Sequence, residues 1–222
     1  MFLKIPFVIL KDIFNFFIIN MPGSFGVKIR YYYYRNKFKK CGENLIIDVG
    51  VHIEGFNLIS IGDNVYIDKF CIISTGNKLI GNITYLNNNA FKGEKGEIII
   101  GNNIHITQYC ILMGYGGIKL ADNVVLSANS KIYSHTNTAY NLKNRHEVIS
   151  LMPYNNAPFL NAPVVINKNV WLGINTIVMP NVFIDSNSFV VTNSVVMNSF
   201  QENSYISGQP AKMIKNRFKI QL

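Results

Sequence analysis

Residues Ile166 to Phe200 read INKNVW LGINTI VMPNVF IDSNSF VVTNSV VMNSF. Cut into sixes, the stretch opens each block with an aliphatic residue, at Ile166, Leu172, Val178, Ile184, Val190 and Val196. It keeps mostly small residues four places on, at Val170, Thr176, Val182, Ser188 and Ser194. A repeat of six belongs neither to a helix, whose faces recur every 3.6 residues, nor to a simple strand, whose faces alternate by two. It suits a solenoid of short strands joined at tight corners, each strand turning one aliphatic residue inward. Three sixes make a triangular coil of eighteen residues, and Ile166-Asn-Lys-Asn does return as Ile184-Asp-Ser-Asn eighteen residues later. Asn169, Asn175, Asn181, Asn187 and Asn193 hold the fourth place, where the chain must bend and where asparagine tolerates a left-handed backbone. One coil cannot bury its own aliphatic row, so coils must stack.

Upstream, the pattern runs back to Ile47. Block starts fall at Ile47 and Ile53, at Ile61, Ile67 and Ile73 after a slip of two, at Ile100, Ile106 and Leu112, and after another slip at Leu120, Leu126 and Ile132. IGDNV at Ile61 recurs as IGNNI at Ile100 and LADNV at Leu120. Two breaks interrupt it. Residues 84–97 (TYLNNNAFKGEKGE) read as a polar loop thrown out from a corner. From Ile132 to Ile166 there are 34 residues where an unbroken coil needs six, so a second loop, over 136–163, leaves the solenoid. Loops of that length in compact domains are characteristically functional or disordered, and the aromatics and prolines of this one suit an ordered cover.

The ends differ from the middle. Residues 1–44 form an apolar segment, MFLKIPFVILKDIFNFFIIN, followed by the basic, tyrosine-rich VKIRYYYYRNKFKK. Lys11-Asp12 near the centre of the first argues against a membrane span. The segment is read as a helix that packs on the solenoid or lies in a membrane interface, its basic neighbour being either suited to anionic headgroups or a solvated cap. No cleavable leader is evident, which points to the cytoplasm, at most at the inner face of the membrane. The net charge of +9 concentrates at the two ends and asks for an anionic partner; nucleic acid fits least, since the repeats lack a basic groove interleaved with aromatics. Cys71 and Cys110 sit at the small fifth place as core fillers, and Cys41 precedes the repeats. Residues 208–222 close the chain as a cap with a short basic helix.

These hexads, the segment around His135, APVVINKNVWLG at 162–173 and GQPAKMI at 208–214 together resemble the hexapeptide-repeat acyltransferases, most closely the maltose, galactoside and cell-surface polysaccharide O-acetyltransferase branch. The resemblance covers roughly residues 47–214 and implies an all-β fold: a left-handed parallel β-helix over 45–207, assembled as a homotrimer with active sites between subunits. It also implies acetyl-CoA as the donor and a carbohydrate acceptor.

An alcohol is a poor nucleophile until its proton is being removed, and histidine, with a pKa near working pH, suits that task. His135 stands where the long loop departs, and the resemblance implies that it is the general base. Tyr133, Asn137 and Arg145 belong to the same segment and loop and are taken as acceptor contacts. His146 in the loop is placed to approach the acceptor or a neighbouring subunit, whereas His52 and His105 hold outward places. Trp171 is read as a platform for a sugar ring or pantetheine arm, or as packing under the loop. The resemblance puts coenzyme A against the backbone at Ile174 and Thr192, beside Gly173, where a missing side chain admits a ligand. It puts Lys212 near a phosphate, and Asn198, in a Met197-Asn198 pair where many members have Thr-Lys, at an altered contact. No histidine pair has the spacing of a metal site. The leading expectation is acetyl transfer to a sugar hydroxyl of a cell-surface polysaccharide or its precursor. The alternatives are N-acetylation of a nucleotide-linked amino sugar, acetylation of an antibiotic hydroxyl, and a non-catalytic scaffold. Acetyl and longer acyl donors are both open.

Overall fold

In the computed structural model, residues 5–76, 82–138 and 158–218 are described. From Lys40 the chain winds as a left-handed parallel β-helix whose rungs are two- and three-residue strands, stacked into three sheets. The stacking register gathers the block-opening residues into three columns. Ile61, Ile100, Leu120, Ile166 and Ile184 form the first face. Ile47, Ile67, Ile106, Leu126, Leu172, Val190 and Ile206 form the second. Ile53, Ile73, Leu112, Ile132, Val178 and Val196 form the third. All are buried, and Cys71 and Cys110 fill the same core as free thiols.

The corners follow the same logic. Asn169, Asn175, Asn181, Asn187 and Asn193 all have φ between 58° and 66°, and Asn44, Asn64, Asn103, Asn123, Asn129 and Asn203 join them. Their amides hydrogen-bond from rung to rung. One ladder runs Asn44, Asn64, Asn103, Asn123, Asn169, Asn187 with steps of 2.9–3.1 Å; a second links Asn129, Asn175 and Asn193 at 2.9 and 2.8 Å. Side chains that permit the bend also tie the rungs together.

Irregularities collect on one edge, between the third face and the first. Both two-residue slips occur there, at the 3-10 turn Phe56–Leu58 and at Gly114–Gly117, and both long excursions leave from it. Neither excursion is only a loop. Asn82–Tyr85 pairs in parallel with Pro158–Asn161, which pairs antiparallel with His135–Asn137, so the two join in a separate three-stranded sheet.

The termini depart further from expectation. The basic segment after the apolar helix α1 (Ile5–Asn20) is a second helix, α2 (Gly23–Tyr34), whose face Gly26, Arg30 and Tyr34 is buried. The fully buried Arg30 donates to the carbonyls of Ile47 at 2.8 Å, Ile18 at 3.1 Å and Met21 at 2.7 Å, so one guanidinium fastens the end of α1 and the first rung to α2. Among the described residues, which end at Phe218, the expected C-terminal helix is not formed. Ser204–Gly208 completes the second face, Gly208 (φ 111°) and Pro210 reverse the chain, and Ala211–Asn216 returns antiparallel. A last strand with open N–H and C=O groups is a template that a following segment can pair with, and Gly and Pro at the reversal stop a helix from starting there.

Candidate active site

His135 opens a strand that leaves the third face one residue after Lys131–Tyr133. The intervening Ser134 is fully buried; its Oγ donates to the Met113 carbonyl at 2.8 Å and accepts the Gly116 amide at 2.8 Å. With His135 paired to Asn161 on its other side, the histidine backbone is held by both the solenoid and the outer sheet. The half-buried imidazole meets the Tyr115 ring edge-on at 4.8 Å, with Tyr133 at 6.5 Å, and its Nδ1 is buried without a partner. Burial pushes the pKa of His135 below the ordinary imidazole value, a hydrogen bond with the Met113 backbone opposing it in part. A ring that burial favours in its neutral form can accept a proton at a nitrogen that a substrate reaches, which the buried Nδ1 is not.

Sequence reasoning missed Tyr115 and what lies beneath it. Ser74 Oγ donates to Glu54 at 2.9 Å and lies 3.1 Å from the Tyr115 hydroxyl. Glu54 and Tyr115, with Lys37, Phe56, Thr75 and Gly76, line a cleft of about 840 Å³ on the His135 edge. The available signal was the run Gly114-Tyr-Gly116-Gly117, three glycines where the hexads slip.

The positions assigned to the donor gather elsewhere. Ile174 and Thr192 stack at the corner between the second and third faces, where the Asn193 amide donates to the Ile174 carbonyl at 2.9 Å. Among the described residues, neither the Ile174 nor the Thr192 amide donates to a protein acceptor, while those of Asn175 and Asn193 do. Two unused, exposed amides and the exposed Lys212, which pairs with Ser207 on the adjoining strand, suit an anionic ligand with amide-accepting groups. Gly173 has a different cause from the one its sequence context suggests. A Cβ there would sit 2.6 Å from the Thr192 nitrogen and 2.7 Å from the Val190 carbonyl oxygen, so the missing side chain admits the next rung. Trp171, 47% exposed, donates from Nε1 to Ser127 Oγ at 2.7 Å and meets Phe189 edge-on at 5.8 Å.

Tyr133, Asn137 and Asn198 lie along the His135 edge, Asn137 and Asn198 exposed. Gly173, Ile174, Thr192 and Lys212 lie along the other, so of the five positions expected to contact the donor one chain brings only Asn198 to the edge of the expected base. Arg145 and His146 fall outside the described residues. His52 lies 3.3 Å from Glu54 and His105 stacks on Tyr66 at 4.9 Å, both facing outward. Among the described residues, no cluster of His, Cys, Asp and Glu has the arrangement of a metal site.

No protein-family model matches the chain. A dTDP-4-amino-4,6-dideoxy-D-glucose acyltransferase of Escherichia coli is 31% identical over 182 residues, which are 82% of this chain and 84% of that one. A galactoside O-acetyltransferase of Escherichia coli is 25% identical over 157 residues, 70% of this chain and 63% of that one. Among solved structures, a mutant of AntD, an N-acyltransferase from Bacillus cereus in complex with dTDP and coenzyme A, shares the fold with a TM-score of 0.67 at 24% identity, covering 90% of this chain and 92% of that one.

Proposed function

The chain belongs to the hexapeptide-repeat acyltransferases, and on that premise we propose that it moves an acyl group, acetyl in the first instance, from a coenzyme A thioester to the amino group of a nucleotide-linked sugar. The observation that carries the chemistry is the placement of His135, a half-buried imidazole held between the solenoid and the outer sheet, whose pKa burial lowers. The acceptor class is supported by the relative named for a dTDP-linked amino sugar, whose likeness runs through most of both chains.

A sugar amine must shed a proton before, or as, its nitrogen attacks a carbonyl carbon, and His135 is the group placed to take it. The thioester supplies the activated acyl carbon. The carbon–nitrogen bond forms as the carbon–sulfur bond breaks, and the proton held on the imidazole returns to the departing sulfur. Positioning falls to the Ile174 and Thr192 amides and to Lys212, whose charge suits a phosphate. Trp171 stands one strand-end from that corner and offers an aromatic face to the pantetheine arm or the acceptor. Because the base and most donor positions occupy different edges of one prism, we infer a homotrimer in which the His135 edge of one copy faces the Ile174 edge of the next. Tyr133, Asn137, Asn198 and Arg145 are proposed to contact the acceptor or donor in that cleft. Use of a soluble donor places the reaction in the cytoplasm.

A second reading, acetyl transfer to a sugar hydroxyl of a surface polysaccharide or its precursor, is favoured by the galactoside relative and by the base itself, which an alcohol needs more than an amine does. Thiol release from acetyl-CoA, measured with a dTDP-linked 4-amino sugar and with neutral glycans, separates the two. Release with the amino sugar is expected, and His135→Ala should lower it by about 10²–10⁴-fold. Release with glycans alone transfers the assignment to the hydroxyl, and an unimpaired His135→Ala enzyme removes the histidine from the mechanism.

A further inference from the structure

Among the described residues, helix α1 is held along its C-terminal half, where Phe14 also meets the Tyr33 ring edge-on at 5.5 Å. Ile18 is buried, Asn15 accepts the Tyr33 hydroxyl at 2.8 Å, and the Gly50 amide donates to the Ile19 carbonyl at 2.9 Å. Beyond these contacts, Val8, Ile9, Leu10, Ile13, Phe16 and Phe17 are each 48–65% exposed. Consecutive residues on a helix point about 100° apart, so the exposed run Val8-Ile9-Leu10 spreads apolar surface over about 200°, with Lys11 and Asn15 on the remaining arc and Asp12 beside it. A helix docked on one partner buries its apolar stripe; a wide exposed apolar arc beside a narrow polar one suits the boundary between an apolar medium and water. Sixteen residues reach about 24 Å at 1.5 Å each, short of a hydrocarbon core of about 30 Å. Among the described residues no helix is long and apolar enough to cross a membrane.

The charge around this helix is mostly positive. Eight of the 21 Lys and Arg residues, but only one of the 12 Asp and Glu residues, fall in the first 40 positions. Lys11, Lys28, Arg35, Lys37 and Lys40 are exposed, and the outer stripe of α2 is Phe25, Lys28 and Tyr32. Exposed aromatics interleaved with cations match the boundary between acyl chains and anionic headgroups.

We propose that α1 lies in the interface of an anionic bilayer, its wide apolar arc among the acyl chains and Lys11 and Asp12 turned to the headgroups, with Lys28 of α2 and the adjoining Arg35 against lipid phosphates, holding the β-helix at the membrane surface. The inference is independent of the acyl acceptor. It is tested on the full chain by sedimentation with phosphatidylcholine vesicles, with and without phosphatidylglycerol, at low and high salt. The wild-type chain should pellet with the anionic vesicles and be partly released by salt. Phe16→Ser combined with Phe17→Ser should weaken partition by about tenfold or more while leaving thiol release in solution unchanged. Lys28→Glu combined with Arg35→Glu should abolish the preference for phosphatidylglycerol. Failure to pellet with anionic vesicles overturns the proposal. So does an unaltered partition of the phenylalanine variant, or a loss of subunit association in that variant without any vesicle binding by the parent, which would make α1 a contact between copies of the chain.

Discussion

The role proposed for His135 asks for an unprotonated ring, and burial works in that direction, with no carboxylate among the described residues hydrogen-bonded to the imidazole. The direction of the shift gives a signed prediction. Burial lowers the pKa from about 6.5, so the ring stays neutral further into acid than a free histidine does. With a saturating donor, the pH profile of kcat/KM should carry one limb from protonation of the acceptor amine, which titration of the free sugar locates, and a second acid limb below the ordinary imidazole value that His135→Ala removes. An enzyme limb above the ordinary imidazole value, distinct from that of the amine, would contradict the assignment. His135 was legible in the sequence because the hexads stop there. Tyr115 and the Glu54–Ser74 pair were not, because their meeting depends on rungs that stack residues 20 and 39 positions apart.

The element that recurs is the corner, and asparagine serves it twice, by accepting a positive φ and by bonding to the corner above. The two contributions can be separated at Asn175 (φ 58°), which accepts from Asn129 and donates to Asn193. A side chain with a Cβ but no amide suffers the left-handed backbone penalty of about 1–2 kcal/mol, and each exposed ladder bond is worth up to about 1 kcal/mol. Urea denaturation should find Asn175→Ala destabilised by about 2–3 kcal/mol and Asn175→Gly by about half as much; equal losses would show that backbone conformation is not what the asparagine provides. These corners were readable because the period of six is local. The outer sheet was not, since Asn82–Tyr85 and Pro158–Asn161 are pairing partners separated by two complete rungs and carry no shared pattern. The stretch Ala211–Asn216 was expected outside the sheet for a related reason: lysine leans towards helix by local propensity, and the available sheet edge overrides it.

For the whole molecule, the proposed site between the His135 edge of one copy and the Ile174 edge of the next predicts that activity depends on association. Sedimentation equilibrium should give three times the 25.2 kDa chain mass, and thiol release should disappear on dilution into the monomer range. An active monomer would sink the shared-site arrangement. The prism has a further property that follows from its last two strands. Stacked parallel rungs are in principle endless, since each terminal rung offers the next molecule the same backbone groups that joined the previous one. Here the second sheet finishes on Ala211–Asn216, running the opposite way and bearing the exposed Lys212 and Lys215. A parallel rung from another molecule finds neither its direction nor a neutral seat, so the C-terminal hairpin acts as a chain terminator that blocks end-to-end filament growth along that sheet.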